Sequence, residues 1–354
     1  MALTCATAVA FLPPSPAQAD EARDHQWHLR YLRIAEAHKV SQGEGVTVAV
    51  IDTGVDPHPD LRNNLLTGTD VVSGGKGNGH GDSDSHGTAM AGLIAAHGNG
   101  SGDGVLGIAP KAKILPIRDE TKTSTGNADN IARGIEYAIT KGAKVVSISS
   151  SSGPSSKLRH AIEKAIVANI VVVAGSGNKP HSFGVTFPAF LDGVVAVGAT
   201  DKSGNHADIS ITGKKVEISA PGVDIYSTSL NGKYKTATGT SNATAIVAGA
   251  AALVRSRYPE LSAKEVVHRL TATAVDKGAP GRDVEYGYGV LDVVAALTAD
   301  VPPLAGSPSA GAPSASPTTV LATPLAGKPS PGERTATRLI VFGLLGVLVL
   351  GGGA

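Results

Sequence analysis

At 354 residues the chain is long enough for one large domain or two ordinary ones, with ample core. Lys and Arg number 31 against 30 Asp and Glu and are scattered, so the net charge of +1 leaves no electrostatic footprint for nucleic acid. Cys5 is the single cysteine, which excludes a disulfide framework.

Residues 1–19 form an apolar run that closes on Ala17-Gln18-Ala19, an A-x-A pattern predicting a signal segment cleaved before Asp20. The usual basic n-region is missing, which points to a natural start upstream of Met1. Residues 20–44 are expected to pack as an extension on the body that follows, residues 45–300. There, Val46–Ile51, Ala112–Ile117, Lys144–Ser149, Ile170–Gly175 and Val194–Thr200 are short, continuous apolar runs. Such runs predict strands buried on both faces of a parallel sheet.

Helical patterns lie between the strands. Asn127 opens one, "SSKLRHAIEKAIVAN" follows the next strand, and Ser262 to Glu265 is a capping box ahead of "VVHRL". Alternating strands and helices predict an α/β fold of three layers, with a mainly parallel central sheet flanked by helices. Sites in such sheets form beyond the carboxyl ends of the strands. From residue 301 to 338 the composition turns to Pro, Ala, Ser and Gly, which reads as an extended linker. Residues 339–354, "LIVFGLLGVLVLGGGA", are uncharged and read as a short membrane anchor, about 24 Å long as a helix. Arg334 and Arg338 before it, with nothing basic after, run contrary to the positive-inside rule for an exported body.

Three segments carry candidate chemistry. Asp52 closes the first strand in "AVIDTGVD". Alone it reads as a turn residue before Gly54. Asp-Thr-Gly is also an aspartic-protease signature, but that mechanism needs a second such carboxylate, and the chain has no other Asp-Thr-Gly or Asp-Ser-Gly. A third role is to orient a histidine. His86 opens a helix of small residues in "HGTAMAGLIAA". Upstream of it His80, Asp82 and Asp84 alternate, so an extended chain would point all four side chains one way, as a metal cluster would. An EF-hand loop needs Gly and Glu at later positions, whereas residue 93 is Leu, and no H-E-x-x-H pattern exists. Asp82 and Asp84 therefore read as a solvated acidic rim, and no metal is predicted.

Ser241 precedes the apolar run of "GTSNATAIVAG". In isolation it is a helix N-cap. The final glycine of a G-x-S-x-G nucleophile elbow is absent, and the order Asp, His, Ser differs from that of chymotrypsin-like enzymes and α/β-hydrolases. It is the order of the subtilisins.

The segments holding Asp52, His86, Asn178 in "VVVAGSGN" and Ser241 resemble the four catalytic motifs of subtilisin-like serine proteases. The match spans about residues 45–297. Its opening, "HLRYLRIAEAHKVSQGEGVTVAVIDTGVD", together with the terminal segments, is similar to the mycosin branch, membrane-anchored proteases associated with type VII secretion. The resemblance implies an extracytoplasmic endopeptidase working on protein or peptide substrates, a place beside a secretion membrane complex, and no cofactor. It implies that His86 is the base, Asp52 its orienter, Ser241 the nucleophile and Asn178 an oxyanion donor. Substrate is expected beside Ser149, Ser150, Ser151 and Gly175. Ser150, Ser151 and Ser152 replace the Leu-Gly-Gly common in subtilisins, and Ala245 stands where the family commonly has proline. Structural calcium occurs in the family, but no residue set in the sequence demands it. The resemblance also allows another reading, a structural subunit of a secretion complex in which proteolysis is secondary.

Overall fold

The computed structural model describes residues 22–100, 103–120, 122 and 126–304. The expected signal segment, most of the linker and the 339–354 anchor lie outside the described residues. Among the described residues no helix is long and apolar enough to cross a membrane.

Seven parallel strands form the central sheet: β1 (Thr47–Asp52), β2 (Thr69–Asp70), β3 (Lys113–Arg118), β4 (Val145–Ile148), β5 (Val171–Gly175), β6 (Val194–Thr200) and β7 (Val216–Pro221). Their order is β2-β3-β1-β4-β5-β6-β7, with Asp52 in register with Arg118. The expected α/β architecture is thus present. Each predicted strand is found within a residue of its sequence bounds, because β-branched runs with no polar alternation suit only a sheet covered on both faces. The chain moves from β1 to β2 and β3 on one side and then to β4 on the other. This switch leaves a crevice beyond the end of β1, beside Asp52.

Helices cover both faces. On one face Ile131 and Ile135 of α4 (Ala128–Thr140) and Leu158 and Ile162 of α5 (Ser156–Val167) pack against Ala49, Ile51 and Val146. Asn127 caps α4 by accepting from the Asp129 and Asn130 N–H groups, and Ser155 caps α5. On the other face α3 (His86–Ala95) and α6 (Thr240–Arg257) pack against Val48, Val50 and Val145. α6 is buried on nearly every side, as its run of small residues requires of a helix enclosed by others. Each isoleucine or leucine so buried contributes about 1.5–3 kcal/mol, against about 0–1 kcal/mol for an exposed ion pair such as Lys111–Glu44. The core, not the surface charge, sets this fold.

α7 (Ala263–Ala272) has the predicted capping box in both directions, Ser262 with Glu265. α8 (Val293–Thr298) follows. Ahead of the sheet, α1 (Trp27–Tyr31) and α2 (Ile34–Ala37) lie on the body. Arg33 grips both Asp292 oxygens at 2.8 Å, and the Trp27 indole donates to the Asp224 carbonyl. A two-stranded antiparallel hairpin, β8 (Ile225–Thr228) with β9 (Tyr234–Ala237), was not among the predicted elements. It packs on α3, where Ser227 and Thr228 hydroxyls donate to the Ala89 and Thr88 carbonyls.

Candidate active site

Asp52 is held at the end of β1 with its side chain only 2% exposed. Its Oδ1 accepts from the Thr53 N–H at 2.8 Å and from His86 Nδ1 at 2.8 Å, with Oδ2 at 3.0 Å from the same nitrogen. Nδ1 therefore carries the proton, which leaves Nε2 as the acceptor of the ring. His86 stands as the first residue of α3, 14% exposed, so reactants can reach it while water cannot reach the acid behind it.

Two glycines let these segments meet. Gly54 has φ +101°, and a Cβ there would lie 2.3 Å from the Gly81 carbonyl oxygen. A Cβ on Gly87 would lie 2.0 Å from the Gly54 carbonyl oxygen and 3.1 Å from Asp52 Cβ. Any side chain at either position pushes the His86 turn off the end of β1.

Ser241 does not cap its helix. α6 begins one residue earlier, at Thr240, and Asn178 supplies the cap from another segment: its Oδ1 accepts the Thr240 N–H at 2.9 Å. The Ser241 hydroxyl is thereby released from helix capping. It donates instead to the Ser149 carbonyl at a long 3.4 Å, and no hydrogen bond joins it to His86. The same bond orients the Asn178 amide, whose Nδ2 lies on the Gly239 side, 3.4 Å from where a Cβ there would sit.

Ser149, Ser150, Ser151, Gly175, Asn178 and Ser241 line one cleft of about 450 Å³, within the range of ligand pockets. Sequence reasoning missed the rest of its wall: Gly177, His181, Ser182 and Thr186, from the segment between β5 and β6, and Thr240 at the start of α6. Nothing in that wall is acidic. Ser150 itself is buried, with its hydroxyl turned away from solvent.

The histidine-aspartate series does not form a metal cluster. His80 Nε2 bonds to the Leu66 carbonyl at 2.8 Å while His86 turns to Asp52. Asp82 is no solvated rim either; its carboxylate turns inward and accepts from Thr53, Asp84, Ser85 and Thr88. Among the described residues no group of three or more His, Cys, Asp or Glu gathers as metal ligands.

Burial opposes a charged His86 and Lys235 adds to that, but the Asp52 charge and hydrogen bond, with help from Asp84, outweigh both. The net effect raises the His86 pKa above its ordinary value of 6.5. A base must be unprotonated to accept a proton, so a raised pKa shifts the acid limb of activity upward. The midpoint of that limb in kcat/KM is expected above pH 6.5, and Asp52→Asn should move it below. A pH–rate profile of both proteins checks this.

Beyond the end of the sheet the molecule thus has a buried acid joined to an imidazole, and a hydroxyl and an amide lining a neighbouring cleft. The family model of the subtilases, peptidase family S8, matches residues 43–289, and the chain belongs to that family. It is a serine endopeptidase of the subtilisin type. Subtilisin DY of Bacillus licheniformis is 41% identical over 275 residues, covering 75% of this chain and 97% of the relative. The thermostable alkaline protease of Halalkalibacterium halodurans is 38% identical over 267 residues, covering 75% and 71%. Among solved structures, MycP1 from Mycobacterium smegmatis superposes with a TM-score of 0.70 at 31% identity, over 82% of this chain and 88% of that one. The MycP3 protease, from a type VII (ESX-3) secretion system, gives 0.69 at 33% identity, over 80% and 90%. The chain is therefore a subtilase with mycosins among its structural neighbours.

Proposed function

We propose that this subtilase cuts protein substrates through Asp52, His86 and Ser241, with Asn178 as an oxyanion donor, as a mycosin attached to a type VII secretion machine. His86 Nε2 takes the Ser241 proton as the hydroxyl attacks the carbonyl, then delivers it to the leaving amine. Asp52 holds the tautomer and stabilises the imidazolium. The Asn178 amide and the N–H of Ser241, near the start of α6, receive the charge on the oxygen. No cofactor enters these steps. Substrate lies extended along Ser149–Ser151, adding a strand there, with the side chain before the cut in the hydroxyl-lined cleft. To attack, the Ser241 hydroxyl leaves the Ser149 carbonyl and turns to the imidazole, a tightening common when substrate arrives.

The observation that carries this reading is the Asp52–His86 pair at 2.8 Å beside a cleft that already contains Ser241 and Asn178. A fluorophosphonate should label Ser241, and Ser241→Ala should abolish labelling and proteolysis together. A folded wild type that is neither labelled nor active overturns it. The secretion role and the anchoring of the body outside the cell by residues 339–354 draw on the mycosin neighbours and on the composition of that segment. One solved neighbour, the serine protease MycP1, is an essential component of its type VII (ESX-1) secretion system, and the second reading makes this chain a structural subunit of such a complex. Rescue of secretion in deletion cells by the Ser241→Ala protein is the outcome expected of a scaffold.

A further inference from the structure

We infer that Asp82 is a positioning residue for the reaction: a single carboxylate that locks the Asp52 strand end to the His86 turn. The inference rests on the catalytic reading above. Asp82 Oδ1 accepts from the Thr53 hydroxyl at 2.9 Å and from the Asp84 and Ser85 N–H groups at 2.9 Å each. Its Oδ2 accepts from the Thr88 N–H at 3.0 Å and the Thr88 hydroxyl at 2.6 Å. Five donors converge on one side chain, from three places: the residue after Asp52, the turn before His86 and the first turn of α3.

These contacts do more than fill lone pairs. Thr53, adjacent to the acid, uses its hydroxyl oxygen also to accept the Gly87 N–H at 3.0 Å. Asp82 to Thr53 to Gly87 is therefore a relay from the carboxylate to the residue after the histidine. Ser85 has φ +81°, a left-handed conformation that a non-glycine residue holds only when its surroundings impose it. Asp82 imposes it by taking the N–H groups of Ser85 and of the residue before. That bend swings the chain directly into α3 with His86 as its first residue, the ring aimed at Asp52. The Ser85 hydroxyl in turn accepts from Lys235 Nζ at 2.8 Å, tying the bend to β9.

Asp82 touches neither substrate nor reacting atoms, so its loss should appear as misplacement of the base. Misplacement of about 1 Å can cost about 10²-fold in rate. Asp82→Ala is expected to lower kcat about 10²-fold with KM changed less than about twofold. Asp82→Asn keeps one acceptor oxygen and should lose only about three- to tenfold. Adding Ser85→Gly to Asp82→Ala should return about tenfold of the lost kcat, because glycine adopts positive φ without an anchor. A merely structural residue would lower the melting temperature without this split or this rescue. The inference is overturned if Asp82→Ala keeps the wild-type kcat, if the loss lies in KM, or if Ser85→Gly restores nothing. Should Asp82→Ala not fold, a folded Asp82→Asn with unchanged kcat overturns it equally. Wild-type turnover, measured in parallel, separates this failure from failure of the catalytic reading itself.

Discussion

Replacing His86 by alanine should lower kcat by a factor on the order of 10⁶ while leaving the fold in place; in a subtilisin, removing the corresponding group costs about 2 × 10⁶. Among the described residues the ring bonds only to Asp52, and Asp52 keeps its bond from the Thr53 N–H when the ring is gone. Oδ2 loses its donor in a buried place, so a stability cost of about 1–3 kcal/mol is expected beside the far larger loss of rate. The diagnostic measurement is the double variant. If acid, base and hydroxyl act as one unit, adding Ser241→Ala to His86→Ala should cause almost no further loss. Independent factors that multiply in the double variant would break the assignment.

The second large effect lies at Asn178. Removing one oxyanion donor costs about 10²–10³ in kcat, about 2.7–4 kcal/mol, a figure drawn from a subtilisin. Asn178 has a second duty here, because its Oδ1 takes the Thr240 N–H at the start of α6. Asn178→Leu removes donor and cap together and leaves that N–H unpaired, at a cost of about 1–3 kcal/mol in stability. Asn178→Asp separates the two. It keeps an acceptor for Thr240, removes the amide donor and sets a negative charge beside the developing oxyanion. Its kcat is expected to fall at least as far as that of the leucine variant, with a melting temperature nearer wild type. Equal activity in Asn178→Asp and the parent would remove Asn178 from the reaction.

The sheet and the Asp52, His86 and Ser241 segments were legible because their signals are local. β1 and β3 through β6 are unbroken apolar runs, and the caps at Asn127 and Ser262 sit beside the helices they start. What the sequence hid is contributed from far along the chain. Ser241 looks like a cap because a serine before an apolar run usually is one; the cap here comes from Asn178, which no local pattern announces. Asp82 reads as solvent-facing because polar loops usually are, and its five donors become visible only when Thr53 and Thr88 close around it. The β8–β9 hairpin was missed because "IYST" and "YKTA" are short and half polar, and are held by α3 rather than by an apolar stripe. Ser182 and Thr186 reach the cleft from a segment with no periodicity to mark them.

The central placement of α6 has a consequence for how a protease comes into being without damaging its maker. That helix packs on β1, β4, β5, β6 and β7, so it is the keystone of the sheet and also the carrier of Ser241. A ribosome has to deliver the chain through Arg257 before this keystone can seat, long after the acid and the imidazole have emerged. Under the proposed catalytic assignment Ser241 lacks the neighbours that would activate it until then, so an unfinished or unravelled copy is expected to be inactive.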